Sequence, residues 1–186
     1  MFPHLETPRL SLTELRLTDA ADALALFSQP QVVQYYDLEA MTVSHEAEDL
    51  IQRLLDRYQS GQGIRWAIRS RTDARLIGTC GFNSWSAPMR SAVLGYDLNP
   101  SYWGQGLMFE ALPAIIGCAF TGVLPCGELN RIQADTVPGN ARSEAVLLRL
   151  GFREEGLRRE CGYWKGAYHD LKCFGLLRRE FMIGNS

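Results

Sequence analysis

Two glycines flank one glutamine in Trp103-Gly104-Gln105-Gly106, where an alternating run gives way to a long apolar run. This junction constrains the fold more than any other feature of the chain. Alternation from Ala92 to Leu98 predicts a strand, and the apolar run predicts a helix from about Gln105 to Phe120. A helix opening there has backbone N–H groups with no partner inside the helix. Those groups, with the positive end of the helix dipole, suit an anion such as a phosphate. Glycine lets the backbone come close to it, having no Cβ. The helix is apolar nearly all round (Leu107, Met108, Phe109, Leu112, Ile115, Ile116, Ala119, Phe120), so it must be buried, for example against a sheet. Pro113 lies inside it, at a cost of ~3 kcal/mol unless the context absorbs it.

The rest of the chain supplies that sheet. Arg9 to Leu15 alternates as a strand, and a helix follows from Ala20 to Phe27, with Thr18-Asp19 as its cap and Pro30 as its limit. Val32 to Tyr36 reads as a short extended or irregular piece. Ala47, Leu50, Ile51, Leu54, Leu55 and Tyr58 form one helical stripe, capped by Thr42 or Ser44. Ile64, Trp66 and Ile68 alternate with Arg65, Ala67 and Arg69. Arg71-Thr72-Asp73-Ala74 makes a hairpin turn into the strand Leu76 to Phe82. Short links from there to Ala92–Leu98 predict an antiparallel meander. After the apolar helix comes a strand from Arg131 to Val137, broken by Pro138-Gly139. Asn140 caps a helix over Ala141 to Leu150, which Gly151 ends. Two last strands, Arg153 to Tyr163 and Tyr168 to Leu177, turn at Lys165-Gly166. The pattern is α+β: one domain over residues 1–186, a mixed, mostly antiparallel central sheet flanked by helices.

Composition narrows the function. A net charge of −2 and a pI near 5.9 lack the basic surplus of a general nucleic-acid binder. No apolar run reaches the roughly 20 residues of a membrane span. Met1 to Glu6 is neither basic nor continuously apolar, unlike a signal peptide, so a cytoplasmic location is expected. The five cysteines are scattered and without CxxC spacing, as reduced thiols filling a core would be. His4, His45 and His169 lie too far apart in sequence for a metal motif, and no metal is expected.

Three kinds of phosphate loop compete for Trp103 to Met108, beside a plain structural turn. A P-loop needs GxxxxGK[ST], and no lysine follows Gly106. A dinucleotide fingerprint needs a third glycine where Phe109 stands. The third kind is the Q/R-x-x-G-x-G/A loop of the GNAT superfamily of N-acetyltransferases. Gly95-Tyr96-Asp97-Leu98-Asn99-Pro100-Ser101-Tyr102-Trp103-Gly104-Gln105-Gly106 closely resembles the strand–loop–helix of its RimJ/RimL-like branch, the ribosomal-protein N-terminal acetyltransferases. Asn140-Ala141-Arg142-Ser143 resembles the N-x-x-S motif of that branch, and Leu150 to Gly156 its LGF-xx-EG signature. Gly166 to Asp170, Leu176 to Glu180 and the opening Glu6-Thr7-Pro8-Arg9-Leu10 match further segments. The matches span nearly the whole chain in order. Trp103 departs from the Gln or Arg common elsewhere in the superfamily. Met108 replaces a small residue, and its longer side chain narrows the room beside a pyrophosphate.

The resemblance implies acetyl-CoA as donor and a primary amine as acceptor, on a protein N-terminus or a small molecule. It implies that the strand ending at Leu98 splays from the strand Arg131–Val137 and bonds the pantetheine amides, as an added strand would. The cofactor residues it implies are Tyr96, Leu98, Trp103, Gly104, Gln105, Gly106, Leu107, Met108, Asn140 and Ser143. Ser143 and Asn140 are the catalytic candidates: Ser143 as the acid for the leaving thiolate or a first-turn serine bonding nearby backbone, and Asn140 as a plain N-cap or a cap whose side chain also reaches the cofactor. A splayed N–H beside Tyr96-Asp97-Leu98 can stabilise the oxyanion. Water, Glu14, Tyr96 or Asp97 takes the proton of the amine, and transfer is direct, without an acyl-cysteine. Tyr36, Phe82, Trp85, Trp164 and Tyr168, with Tyr35 and Tyr163, are aromatic candidates for the acceptor pocket. His169 and Asp170 are expected to bridge the closing strands. Monomer and homodimer stay open, as does a non-catalytic acyl-CoA-sensing role on the same fold.

Overall fold

Short turns at residues 7–9, 71–75 and 87–90 fold consecutive strands back on one another, while residues 15–63 carry three helices between the second strand and the third. In the computed structural model, which describes residues 1–184, the strands are β1 (Leu5–Glu6), β2 (Leu10–Glu14), β3 (Ile64–Ser70), β4 (Leu76–Ser86), β5 (Ser91–Leu98), β6 (Arg131–Thr136), β7 (Arg153–Trp164) and β8 (Ala167–Leu177). They form one sheet in the order β1-β2-β3-β4-β5-β6-β8-β7. All neighbours are antiparallel except β5 and β6. A parallel pair needs a crossover, and the buried helix α4 (Met108–Thr121) provides it. The other helices are α1 (Ala20–Phe27), α2 (Pro30–Val33), α3 (Ser44–Gln59), α5 (Ala141–Arg149) and α6 (Arg178–Gly184).

Strand alternation divides the core between two faces. Ile64, Trp66 and Ile68 pack with Ala111, Leu112, Ile115, Ile116 and Ala119 of α4 and with Leu147 of α5. Ala67 packs on the other face with Ala23 and Leu26 of α1 and Ala47 and Ile51 of α3. Each fully buried Leu or Ile stabilises the fold by roughly 1.5–3 kcal/mol. α4 runs unbroken through Pro113 to Gly122, whose left-handed φ of 79° ends it.

Local details differ from the sequence reading. Val32 and Val33 are helical, not extended, because Pro30 opens α2 at a position where a missing N–H is harmless. Asp19 does not cap α1. Its carboxylate accepts from the N–H of Arg16 at 2.8 Å and from the Arg69 guanidinium at 2.7 Å. Neither Thr42 nor Ser44 caps α3. Glu46, one turn in, reaches back to the N–H groups of Thr42 (2.7 Å) and Val43 (3.1 Å), and these bonds hold its carboxyl below the usual range.

The fold creates one opening. β5 and β6 pair from Ser91↔Arg131 to Leu94↔Ala134. Beyond that, β5 continues to Leu98 and β6 to Thr136 without pairing to each other. This is the expected splay.

Candidate active site

The glycine turn lies at the open end of β5. Asn99 starts it by accepting the N–H of Ser101 at 3.0 Å, capping a short 3₁₀ turn. Gly104 and Gly106 both take left-handed φ, 75° and 74°. These two conformations keep Gln105 to Leu107 out of the helix, which begins at Met108 and not at Gln105. The N–H groups of Gly104, Gln105, Gly106, Leu107 and Met108 have no backbone acceptor among the described residues. A run of free donors at the start of a helix suits a pyrophosphate. Leu107 and Met108 send their side chains into the core, 5% and 8% exposed, so Met108 does not narrow the turn.

Neighbouring side chains brace this turn. Arg9 donates to the carbonyl of Gln105 at 2.9 Å and to Glu110 at 2.7 Å. Glu110 also accepts from the Thr7 hydroxyl and from the Arg9 N–H, both at 2.6 Å. Burial pushes the Glu110 carboxyl up, but these donors outweigh it and leave the carboxyl below the usual range. Trp103 donates its indole N–H to the carbonyl of Leu98 at 2.7 Å, and Arg142 stacks on its ring at 4.3 Å.

The free half of β5 faces the splay. The N–H of Asn99 donates to Ile77 on β4 at 2.8 Å, so alternation aims the backbone groups of Tyr96 and Leu98 the other way, toward the splay. On the α5 side, the Tyr96 phenol lies 2.7 Å from the Ser143 hydroxyl and 3.1 Å from its carbonyl. Asn140 caps α5, accepting the N–H of Ser143 at 3.4 Å. Burial pushes the Tyr96 phenol up to about 12, although its bond to Ser143 pulls the other way. Tyr96 is therefore protonated at neutral pH, and either hydroxyl can donate to the other.

On the opposite side, Asp97 is occupied. Arg65 donates to it at 2.6 Å, with side chains 9% and 2% exposed. Thr79 adds its hydroxyl at 2.8 Å and its N–H at 2.9 Å. Asp97 is thus not a free base. Glu14 is exposed on β2, paired with Trp66 and three strands from β5. Sequence reasoning missed Arg65 and Thr79. It also missed Asp135, on β6 just past the last residue paired to β5, whose carboxylate is ion-paired to Arg158 on β7 while its Oδ1 is buried with no hydrogen-bond partner. A polar residue in an alternating strand was the only signal for any of them.

The aromatic candidates separate into two groups. Tyr36 is at the splay, donating to the carbonyl of Tyr96 at 2.6 Å. Tyr35 donates to the carbonyl of Gly139 at 3.0 Å. Trp164 stacks on His169 at 4.0 Å, and Tyr168 pairs with Tyr163 at 4.9 Å on the β7–β8 hairpin. Lys165 at the tip of this hairpin donates to the carbonyl of Val33 at 2.7 Å, tying the hairpin to the Tyr36 segment. Phe82 is not a pocket residue. It is 0% exposed in the α4 core, edge-on to Trp66. Trp85 pairs with Ala92, in the half of β5 that is joined to β6, and donates its indole N–H to Gly61 at 2.6 Å. His169 and Asp170 bridge the hairpin, through Trp164 at 3.1 Å and Glu160 at 2.8 Å. Cys80 is fully buried, and burial pushes its thiol up to about 12, unlike a nucleophile. No helix among the described residues is long and apolar enough to cross a membrane.

Comparison with known proteins agrees with this geometry. The profile of the acetyltransferase (GNAT) domain matches residues 9–153. The chain is 35% identical over 178 residues to the uncharacterized N-acetyltransferase YoaA of Bacillus subtilis, covering 96% of this chain and 98% of that one. It is 30% identical over 114 residues to the [ribosomal protein uS5]-alanine N-acetyltransferase of Escherichia coli, covering 61% and 57%. The solved structure of RimL, the ribosomal L7/L12 alpha-N-protein acetyltransferase, in complex with coenzyme A shares the fold with a TM-score of 0.82 at 23% identity, over 94% of this chain and 98% of that one. With a splayed parallel strand pair, a glycine turn at its open end and a family profile over most of its length, the chain belongs to the GNAT family of acetyltransferases.

Proposed function

We propose that the protein transfers the acetyl group of acetyl-CoA directly to a protein N-terminal α-amine. The observation that carries this reading is the contact of the Tyr96 and Ser143 hydroxyls, 2.7 Å apart, beside the unpaired edge of β5. The N–H groups from Gly104 to Met108 suit the pyrophosphate, and those of Tyr96 and Leu98 suit the pantetheine and thioester carbonyls. Acetyl-CoA supplies the acyl carbon and the thiolate leaving group. The amine lone pair forms the new C–N bond while a splayed N–H bonds the developing oxyanion. As the C–S bond breaks, Ser143 gives its proton to sulfur and Tyr96 resupplies Ser143. The proton of the new C–N ammonium passes to water, and water returns one to Tyr96, so both hydroxyls end the cycle protonated.

The relative that acts on ribosomal protein uS5 supports a protein acceptor. So does chemistry: an α-amine with a pKa near 8 is more often neutral at pH 7 than a lysine near 10.4. Thiol release from acetyl-CoA, measured over peptides with free Ala or Ser N-termini, their N-acetylated forms and small polyamines, tests both halves. Release is expected with the free peptides only. Release with polyamines alone would replace the acceptor, and release with none would favour acyl-CoA sensing.

A further inference from the structure

A splay between parallel strands needs a reason to stay open, because zipping β5 onto β6 would pair more backbone groups. The register gives the partners that zipping would make. Leu94 faces Ala134, so an extended ladder would set Tyr96 against Thr136 and Leu98 against Pro138. At the start of the pair, the N–H of Arg131 donates to the carbonyl of Arg90 at 3.1 Å. The same step, repeated along the ladder, would bring the N–H of Val137 to the carbonyl of Tyr96 and the N–H of Gly139 to that of Leu98.

Side chains already hold both carbonyls. The Tyr36 hydroxyl takes that of Tyr96 at 2.6 Å, and the Trp103 indole takes that of Leu98 at 2.7 Å. The other arm is diverted as well. The carbonyl of Val137 accepts from the N–H of Asn140 at 3.1 Å, and that of Gly139 from the Tyr35 hydroxyl at 3.0 Å. Tyr35 and Tyr36 are consecutive residues after α2, and each bonds one arm. Both wedges on β5 are firmly held. Burial raises the Tyr36 phenol well above its ordinary value, keeping it a donor, and Arg142 stacks on Trp103.

We propose that Tyr36 and Trp103 are positioning residues that keep the splay open by occupying the two carbonyls β6 would otherwise use. The free edge then offers N–H donors alone. Such an edge suits a ligand that presents carbonyl acceptors along an extended chain, such as the amides and thioester of an acylated pantetheine. The choice of acetyl-CoA as the ligand rests on the function proposed above, whereas the wedge itself does not.

Tyr36→Phe, Trp103→Phe and the double variant test this, because each keeps the ring and removes the donor. Amide hydrogen exchange is followed by NMR on the ligand-free protein, and acetyl-CoA binding by calorimetry. In the wild type the Tyr96 and Leu98 amides should exchange freely and slow when acetyl-CoA is added. In the double variant they should slow without ligand, as the ladder extends, while affinity falls about tenfold or more. Weaker binding with these amides still exchanging freely would assign the rings to packing alone and overturn the proposal. Unchanged exchange with unchanged affinity would overturn it too. A wild type that does not bind acetyl-CoA would remove the proposed function, and the exchange measurement would still decide the wedge.

Discussion

The phenol of Tyr96 on β5 lies 2.7 Å from the hydroxyl of Ser143 on α5, joining the free strand to the helix that follows the opposite arm of the splay. Two hydroxyls in one proton path act as a unit, so their losses should not add. Ser143→Ala is expected to lower kcat about 10²-fold. Tyr96→Phe should lower it less, since Ser143 keeps its own proton, and the double variant should be no slower than Ser143→Ala. Single-turnover thiol release measures all three. Strictly multiplicative losses would separate the two residues and remove the relay.

Arg65 and Asp97 form a buried pair whose carboxylate is also bonded by Thr79. Removing one member leaves the other charge without compensation in a dry site. Arg65→Met should cost about 3–5 kcal/mol of stability in urea denaturation. Arg65→Met combined with Asp97→Leu should recover most of that, because the pair replaces its own desolvation with packing. A double variant as unstable as the single one would mean that the pair is needed for its attraction.

That pair also marks where sequence reading stopped. The glycine turn, the Asn140 cap and the Lys165-Gly166 hairpin were legible because each depends on residues adjacent in the chain. Arg65 and Asp97 are 32 positions apart, and their contact depends on the order β3-β4-β5. Alternation separates the faces of a strand without saying which polar face is buried. Phe82 was misplaced for a related reason: aromatic type does not reveal face, and its register opposite Leu94 sends it into the α4 core. Tyr35 and Tyr36 carried no local signal for the two arms they bond.

Gly104 is expected to separate binding from folding. At its φ of 75° an added Cβ meets nothing within 4 Å. Gly104→Ala therefore carries only the left-handed backbone cost, roughly 1–2 kcal/mol. Its methyl would stand in the open space beside the free N–H groups of the turn, so acetyl-CoA affinity should fall further than the melting temperature suggests. Gly81→Ala is the contrast: its Cβ would come 2.1 Å from the carbonyl of Ile64, inside the sheet, and should damage folding first. Calorimetry and thermal melts on both variants decide the matter. A Gly104→Ala protein that binds like the wild type would move the phosphate elsewhere.

Alkaline pH should unfold this protein more readily than its overall charge suggests. Burial pushes Cys80 from an ordinary 9.0 to about 12 and Tyr96 from 10.0 to about 12, and it raises Tyr36 as well. These folded-state values lie above the unfolded ones. Their stabilisation is therefore complete below the unfolded values and is lost as pH rises toward the folded ones. Between pH 9 and 12 the unfolded chain binds fewer of these protons than the folded chain, and the slope of stability against pH is negative. Each group contributes at most roughly 1.4 kcal/mol per pH unit once its unfolded form has titrated. Urea denaturation should show stability falling from about pH 9 as Cys80 enters and more steeply above about pH 10 as the phenols join. Tyr96→Phe should reduce the slope above pH 10 and leave the Cys80 part in place. A variant whose curve ran parallel to the wild type throughout would show that Tyr96 titrates alike in both states, and its role as a buried, protonated donor to Ser143 would then fail.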